Sequence, residues 1–87
     1  MIDNREQNRF EREEKGARVV ALYRRDQDIL IIRHVEADPI LRGTGAADRL
    51  MHDIAEFARN EAVLIKPLCD YAAAWLKRHA RDLIASH

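Results

Sequence analysis

The sequence predicts an α+β fold in the order β-β-β-α-β-α, with a mixed but largely antiparallel sheet and two helices. Two observations carry that prediction. Residues 17–36 hold two consecutive runs rich in β-branched and aromatic side chains, split by a polar stretch, as paired strands are. From Ala46 the apolar period then lengthens from two to that of a helix, and a second strand–helix pair follows.

The opening residues are polar and weakly patterned apart from Phe10. They predict a short strand over 8–13, with Gly16 as the turn after it. Residues 17–24 set Val19, Ala21 and Tyr23 against Val20 and Leu22, and residues 25–27 supply a hairpin turn. Residues 28–36 form the strongest strand. Ile29, Leu30, Ile31 and Ile32 are all apolar, so both faces of its first half should be covered. Further along, His34 and Glu36 lie two apart and share a face. Asp38-Pro39 ends the strand, because proline has no N–H to give to a ladder.

A helix begins at Ala46. Ala47, Leu50, Met51, Ile54, Phe57 and Ala58 mark its apolar side, and Asp48, Arg49, His52, Asp53, Glu56 and Arg59 its polar side. Residues 63–66 are a short apolar strand closed by Pro67. A second helix starts at Cys69 or Asp70 and reaches about His79, with Tyr71 and Trp75 four apart as helix-face core residues are. Residues 81–87 either extend that helix or fray.

The 87 residues make one domain, 1–87, without room for a separate substrate domain. The content is 47% hydrophobic, enough for a core, and 34% charged, enough to cover it. A net charge of +0, with basic and acidic residues interleaved, argues against nucleic-acid binding. Cys69 is the only cysteine, which excludes an intramolecular disulfide and points to a reducing, cytoplasmic setting. The charged amino terminus does not fit a signal peptide, and no apolar run is long enough to cross a membrane. His52 lies on the polar, solvent-facing side of the long helix, and His79 and His87 have no partner at ligand spacing, so no metal site is expected.

The chemistry concentrates between the long strand and the long helix, in Leu41-Arg42-Gly43-Thr44-Gly45-Ala46-Ala47. A glycine-containing loop that opens a helix presents free N–H groups and the positive end of the helix dipole, and so favours an anion. Gly43 and Gly45 permit positive φ and close approach to phosphate oxygens, while Ala46 and Ala47 keep the first turn uncrowded. The spacing is neither that of a P-loop nor that of a dinucleotide fingerprint. A glycine pair before a helix is also, very often, only a turn.

Arg42, Gly45 and Ala47 fit Arg-x-x-Gly-x-Ala, which resembles the pyrophosphate signature of the GNAT N-acetyltransferase superfamily. The string from His34 to Gly45, HVEADPILRGTG, resembles the H-T-E-V-P-x-x-L-R-G-K-G segment of a subgroup of very short GNAT-like proteins. Pro67-Leu68-Cys69 is similar to that subgroup's P-x-C, Arg78-His79 to its R-H, and Phe10, Gly16 and Tyr23 to its R-F-E…G…Y opening. The chain departs from the pattern at Val35, Ala37, Asp38, Thr44 and Ala80; Thr44 in place of Lys removes a positive charge from the loop.

The resemblance implies acetyl-CoA or CoA as cofactor, lying where the strand that ends near Ala37 splays from the strand 63–66. Its pyrophosphate would rest on Arg42, Gly43, Thr44, Gly45, Ala46 and Ala47, next to Leu41. Larger relatives often place a helical Tyr as proton donor to the leaving thiolate; by register that position falls near Trp75 or Leu76, neither of which can serve.

Cys69 is the candidate nucleophile, since a thiol at a helix amino terminus is biased toward thiolate. A lone cysteine is as commonly a small buried apolar residue, and Asp70 opposes ionisation. His34 or Glu36 could take the proton of an ammonium acceptor; the plain alternatives are a structural histidine and a solvated carboxylate. Three readings follow: transfer of acetyl to an unknown amine, small or protein; binding of a CoA thioester without turnover; and a cofactor-free structural domain. A monomer and a homodimer both fit so small a core.

Overall fold

Val19, Ala21 and Tyr23 put three large or close-packing side chains on one side of a ten-residue strand, and the rest of the chain is arranged around that side. The computed structural model describes residues 1–86 of the chain. Its strands are β1 (Ile2–Asn4), β2 (Arg9–Glu14), β3 (Ala17–Asp26), β4 (Ile29–Ala37) and β5 (Leu64–Pro67), and its helices are α1 (Ala46–Glu61) and α2 (Asp70–His79). They form a single five-stranded sheet in the order β1-β2-β3-β4-β5. The first three pairings are antiparallel hairpins, and β5 lies parallel to β4 after the crossover through α1.

The core lies between one face of the sheet and the two helices. Phe10, Val19, Ala21, Leu30 and Ile32 meet Leu50, Met51 and Ile54 of α1 and Ala72 and Leu76 of α2, all of them fully buried. Phe10 stacks on Tyr23 at 4.3 Å and meets Phe57 edge-on at 5.1 Å. The predicted α+β architecture is therefore the observed one, with one strand more. β1 is three residues with one apolar side chain, too little pattern to read. Pairing Ile2 with Glu11 and Asn4 with Arg9 holds it, together with the hydrogen bond that Tyr23 donates to Asp3.

β4 is interrupted by a β-bulge. Leu22 pairs with His34 but Tyr23 with Ile32, so Arg33 is an extra residue. Before it, Leu30 and Ile32 face the helices; after it, Val35 and Ala37 do, opposite the buried Ala21 and Val19. Ile29, Ile31, Arg33, His34 and Glu36 therefore belong to the open face of the sheet.

The apolar run 29–32 is covered on one side only. Leu30 and Ile32 are fully buried, whereas Ile29 and Ile31 are half-buried on a face without helices. Their neighbours in register on the adjoining strands are Arg24 and Lys66 for Ile31, and Asp26 and Leu64 for Ile29.

Residues 81–85 do not extend α2 and are tied back to β5. Arg81–Leu83 make a 3-10 turn that buries Leu83, Ile84 bridges in parallel to Ile65, and the Ala85 N–H donates to the Ile65 carbonyl at 2.8 Å. His87 lies outside the described residues. Among the described residues no helix is long and apolar enough to cross a membrane.

Candidate functional site

β4 and β5 pair only from Ile29 to Ile32 on β4 and from Leu64 to Pro67 on β5. The last link is the Leu68 N–H on the Ile32 carbonyl at 2.8 Å, after which the chain turns away into α2. Residues 33–37 of β4 therefore keep β3 on one side and, among the described residues, have no strand on the other. This cleft opens at the bulge. Its wall is strand backbone with donors and acceptors free to bind an extended ligand.

The glycine loop stands at the end of the same strand. A 3-10 turn, Pro39–Leu41, buries Leu41 and leads into it. The Thr44 N–H and hydroxyl both donate to the Leu41 carbonyl, at 3.2 and 2.6 Å, and the hydroxyl accepts the Ala46 N–H at 3.3 Å. Gly43 and Gly45 sit at φ +78° and +86°, in the left-handed region that favours glycine. Among the described residues, the N–H groups of Gly43, Gly45, Ala47 and Asp48 have no intramolecular acceptor. Arg42, Gly43, Thr44 and Gly45 are exposed, Ala47 is half-buried, and Ala46 is buried under them. The loop is thus a set of unpaired donors at a helix amino terminus, supported from below by Leu41 and Ala46, and an anion fits it.

A cation that the sequence did not single out also belongs to this loop. Arg49 reaches back to donate to the Thr44 carbonyl at 3.1 Å and grips Glu14 with two bonds, at 2.8 and 2.7 Å. Arg12 holds the same carboxylate at 2.7 Å and Asp53 at 2.8 Å. Under Arg49 first and Arg12 second, the Glu14 carboxyl is drawn down to about 2. The four-residue step from Gly45 to Arg49 is visible in the sequence; a partner 35 residues earlier is not.

Cys69 is the residue before α2, with φ −96° and ψ 133°, half-buried and packed partly against the core. Tyr71 follows in the first turn and is 42% exposed. Partial burial, then the nearby Asp48 and Cys69, push its phenol above the ordinary value. Tyr71 in the first turn of α2 and Asp48 in the first turn of α1 line one groove. Trp75 and Leu76, the positions where the register places a relative's tyrosine, are both buried. The Trp75 indole donates to Asp48 Oδ1 at 2.7 Å and ties α2 to α1. His52 and His79 flank its ring at 4.8 and 4.7 Å. Asp48, Tyr71, Trp75, Arg78 and His79 line a groove of about 280 Å³ between the helices.

His34 and Glu36 are brought together, His34 Nε2 lying 3.6 Å from Glu36 Oε2. Both are exposed, on the open face of the sheet past the bulge. No hydrogen bond or ion pair among the described residues joins Cys69 to either of them. Among the described residues no three His, Cys, Asp or Glu side chains converge as metal ligands.

Comparison with known families adds one finding. A family model described as GCN5-related N-acetyl-transferase matches residues 9–83, which include every element from β2 through α2. A search of curated proteins gave no match.

Proposed function

The chain belongs to the GCN5-related N-acetyltransferase family, and from that membership we propose that it transfers acetyl from acetyl-CoA to an amine. The observation that carries the reading is the coincidence of two features. The cleft between β4 and β5 meets a loop of unpaired N–H groups at the start of α1. An elongated ligand with an anionic middle and an amide-bearing arm matches that pair.

Acetyl-CoA would supply the acetyl group, activated as a thioester. Gly43, Gly45 and Ala47 would donate their N–H groups to its pyrophosphate, with Arg42 adding charge and Thr44, Leu41 and Ala46 holding the loop in shape. The free edge of β4, up to Ala37, would pair with the amides of the pantetheine arm. The acceptor must lose a proton to attack, and His34 or Glu36, adjacent and open to solvent, would take it. As the amine nitrogen bonds to the acetyl carbon and the carbon–sulfur bond breaks, Tyr71 would give its phenolic proton to the departing sulfur. Its raised pKa keeps that proton available at neutral pH. Cys69 stands at the same mouth. It would either pack beside the thioester or accept the acetyl on its own sulfur before the amine does.

A second reading, binding of a CoA thioester without turnover, draws on the exposure of His34 and Glu36 and their lack of any link to Cys69. Turnover with any amine decides against it.

Thermal unfolding with CoA and with acetyl-CoA tests the shared premise. At a hundredfold excess over the dissociation constant, single-site linkage gives about 2.7 kcal/mol, or roughly 10–20 °C for a chain of this size. Thr44→Glu, which puts a carboxylate among the donors, should abolish the shift. Gly45 is the poorer site for that probe: its φ is +86°, and a Cβ there would lie 3.0 Å from Arg49 Nη1. No stabilisation of the wild type at millimolar cofactor would refute both readings.

A further inference from the structure

The open face of the sheet carries a groove of about 450 Å³ lined by Arg24, Ile31, Arg33, Lys66 and Leu68. Three adjacent strands contribute to it. Arg24 on β3, Ile31 on β4 and Lys66 on β5 stand in register as one row, with the bulge residue Arg33 and Leu68 beside them. No acidic side chain lines it. Among the described residues, neither Arg24, Arg33 nor Lys66 takes part in an ion pair or a side-chain hydrogen bond. Asp26, two residues along β3, does not bridge to Arg24.

The chain as a whole is balanced, with 15 basic and 15 acidic residues, so three cations in one groove with no carboxylate on its lining concentrate charge locally. Among the described residues seven other arginines lie beside a carboxylate, including Arg9 with Glu11, Arg12 with Asp53, Arg49 with Glu14 and Arg59 with Asp82, and the arginines that do not, Arg42, Arg78 and Arg81, are not among those lining this groove. Three cations gathered without a counter-charge repel one another, and an anion between them relieves that repulsion. An arginine guanidinium in particular receives the two oxygens of a carboxylate or phosphate side by side.

The groove also has a place in the proposed reaction. Arg33 marks the point where β4 and β5 part, Leu68 directly precedes Cys69, and His34 and Glu36 continue along the same face of β4. The pyrophosphate loop opens α1, which packs on the opposite face. A second substrate would therefore meet the cleft from the open face, with the groove under its far end and His34 and Glu36 at its near end. The half-buried Ile31 and the exposed Leu68 give that far end an aliphatic floor. The volume suits a small molecule, and five residues are far fewer than a protein partner would cover.

We infer that the acceptor is a small amine that also carries an oxyanion, a carboxylate or a phosphate, which Arg24, Arg33 and Lys66 bind on the open face of the sheet. The inference rests on the acetyl-transfer reading for its chemistry but not for its binding site.

The test compares kcat/KM for 4-aminobutyrate and O-phosphoethanolamine with that for butylamine, an amine without the anion. At least one anionic amine should be favoured about tenfold or more at low salt, which one charge-assisted pair can supply. Added salt should lower the preference, and the better of the two anionic amines names the anion. The double variant Arg24→Gln, Lys66→Gln should bring the ratio near one, while Lys77→Gln, an exposed cation on α2, should preserve it. Equal kcat/KM for all three amines, or a preference that survives the double variant, overturns the inference.

A second measurement needs no turnover. In cofactor-free protein, the anionic amines and not butylamine should shift the backbone amide resonances of Arg24, Ile31, Arg33 and Lys66. If CoA fails to stabilise the protein while these shifts appear, acetyl transfer falls and the anion site stands. If the shifts are missing, or follow an acidic peptide but neither small amine, the small-acceptor inference falls whatever CoA does.

Discussion

Removing the Asp48 carboxylate should loosen the joint between the two helices by an amount that the structure sets. Trp75 is 6% exposed, and its indole N–H has Asp48 Oδ1 as acceptor at 2.7 Å. In Asp48→Ala that buried donor is left unpaired, at a cost of about 1–3 kcal/mol. Asp48 is also the acidic residue in the first turn of α1, where its charge on the helix dipole contributes about 0.3–1 kcal/mol. Together the loss should be about 1–4 kcal/mol, a fall in melting temperature of roughly 5–30 °C. Asp48→Asn keeps an oxygen acceptor and loses only the charge, so it should cost about 0.3–1 kcal/mol. The difference between the two variants isolates the hydrogen bond. Urea unfolding followed by far-UV circular dichroism and by the fluorescence of Trp75, the only tryptophan, measures both. An Asp48→Ala protein within about 0.5 kcal/mol of wild type would behave like an ordinary surface variant and would refute the argument. Equal losses in the two variants would assign the effect to charge alone.

Two further outcomes follow from the groups around the loop. The Glu14 carboxyl is lowered from 4.5 to about 2 by Arg49 and Arg12, so its share of stability is complete above its unfolded value and is lost as pH falls toward 2. The acid limb of a stability–pH curve, between about pH 5 and about 2, should therefore flatten in Glu14→Gln; an unchanged limb would deny the clamp any part in stability. Tyr71→Phe should cut kcat by about a hundredfold or more if the phenol protonates the leaving sulfur, with CoA stabilisation retained. An undiminished kcat would remove Tyr71 from the chemistry.

Patterned segments were legible in the sequence and contacts between distant segments were not. The helix starting at Ala46, the turn at Gly16 and the strand ending before Pro39 follow from period, glycine and proline, and each lies where those signals place it. β1 escaped because three residues with one apolar side chain have no period; it exists through its pairing with β2. The uncovered side of Ile29 and Ile31 escaped for a different reason. An apolar run states that burial is favourable, not that a second layer exists, and here the neighbours in register on β3 and β5 give only partial cover. Within the candidate site, the loop 42–47 was readable because its residues are contiguous and their backbone demands are local. Arg49, Tyr71 and the cations of the open face were not, since each gains its place from a strand or helix far away in sequence.

The bulge at Arg33 carries a consequence for how this segment can vary. Side chains alternate along a strand, so one residue more or less exchanges the two faces for everything beyond it. In a regular ladder that kept position 33, His34 and Glu36 would turn toward the helices and Val35 and Ala37 toward water; the bulge absorbs Arg33 and prevents this, so deleting position 33 would leave residues 34–37 on the faces they now occupy. Replacing Arg33 by another residue removes a charge and leaves that arrangement intact. What a deletion there would remove is the bulge itself, with the extra side chain it adds to the open face, while a one-residue change elsewhere between His34 and Ala37 that no bulge absorbs would exchange the faces beyond it.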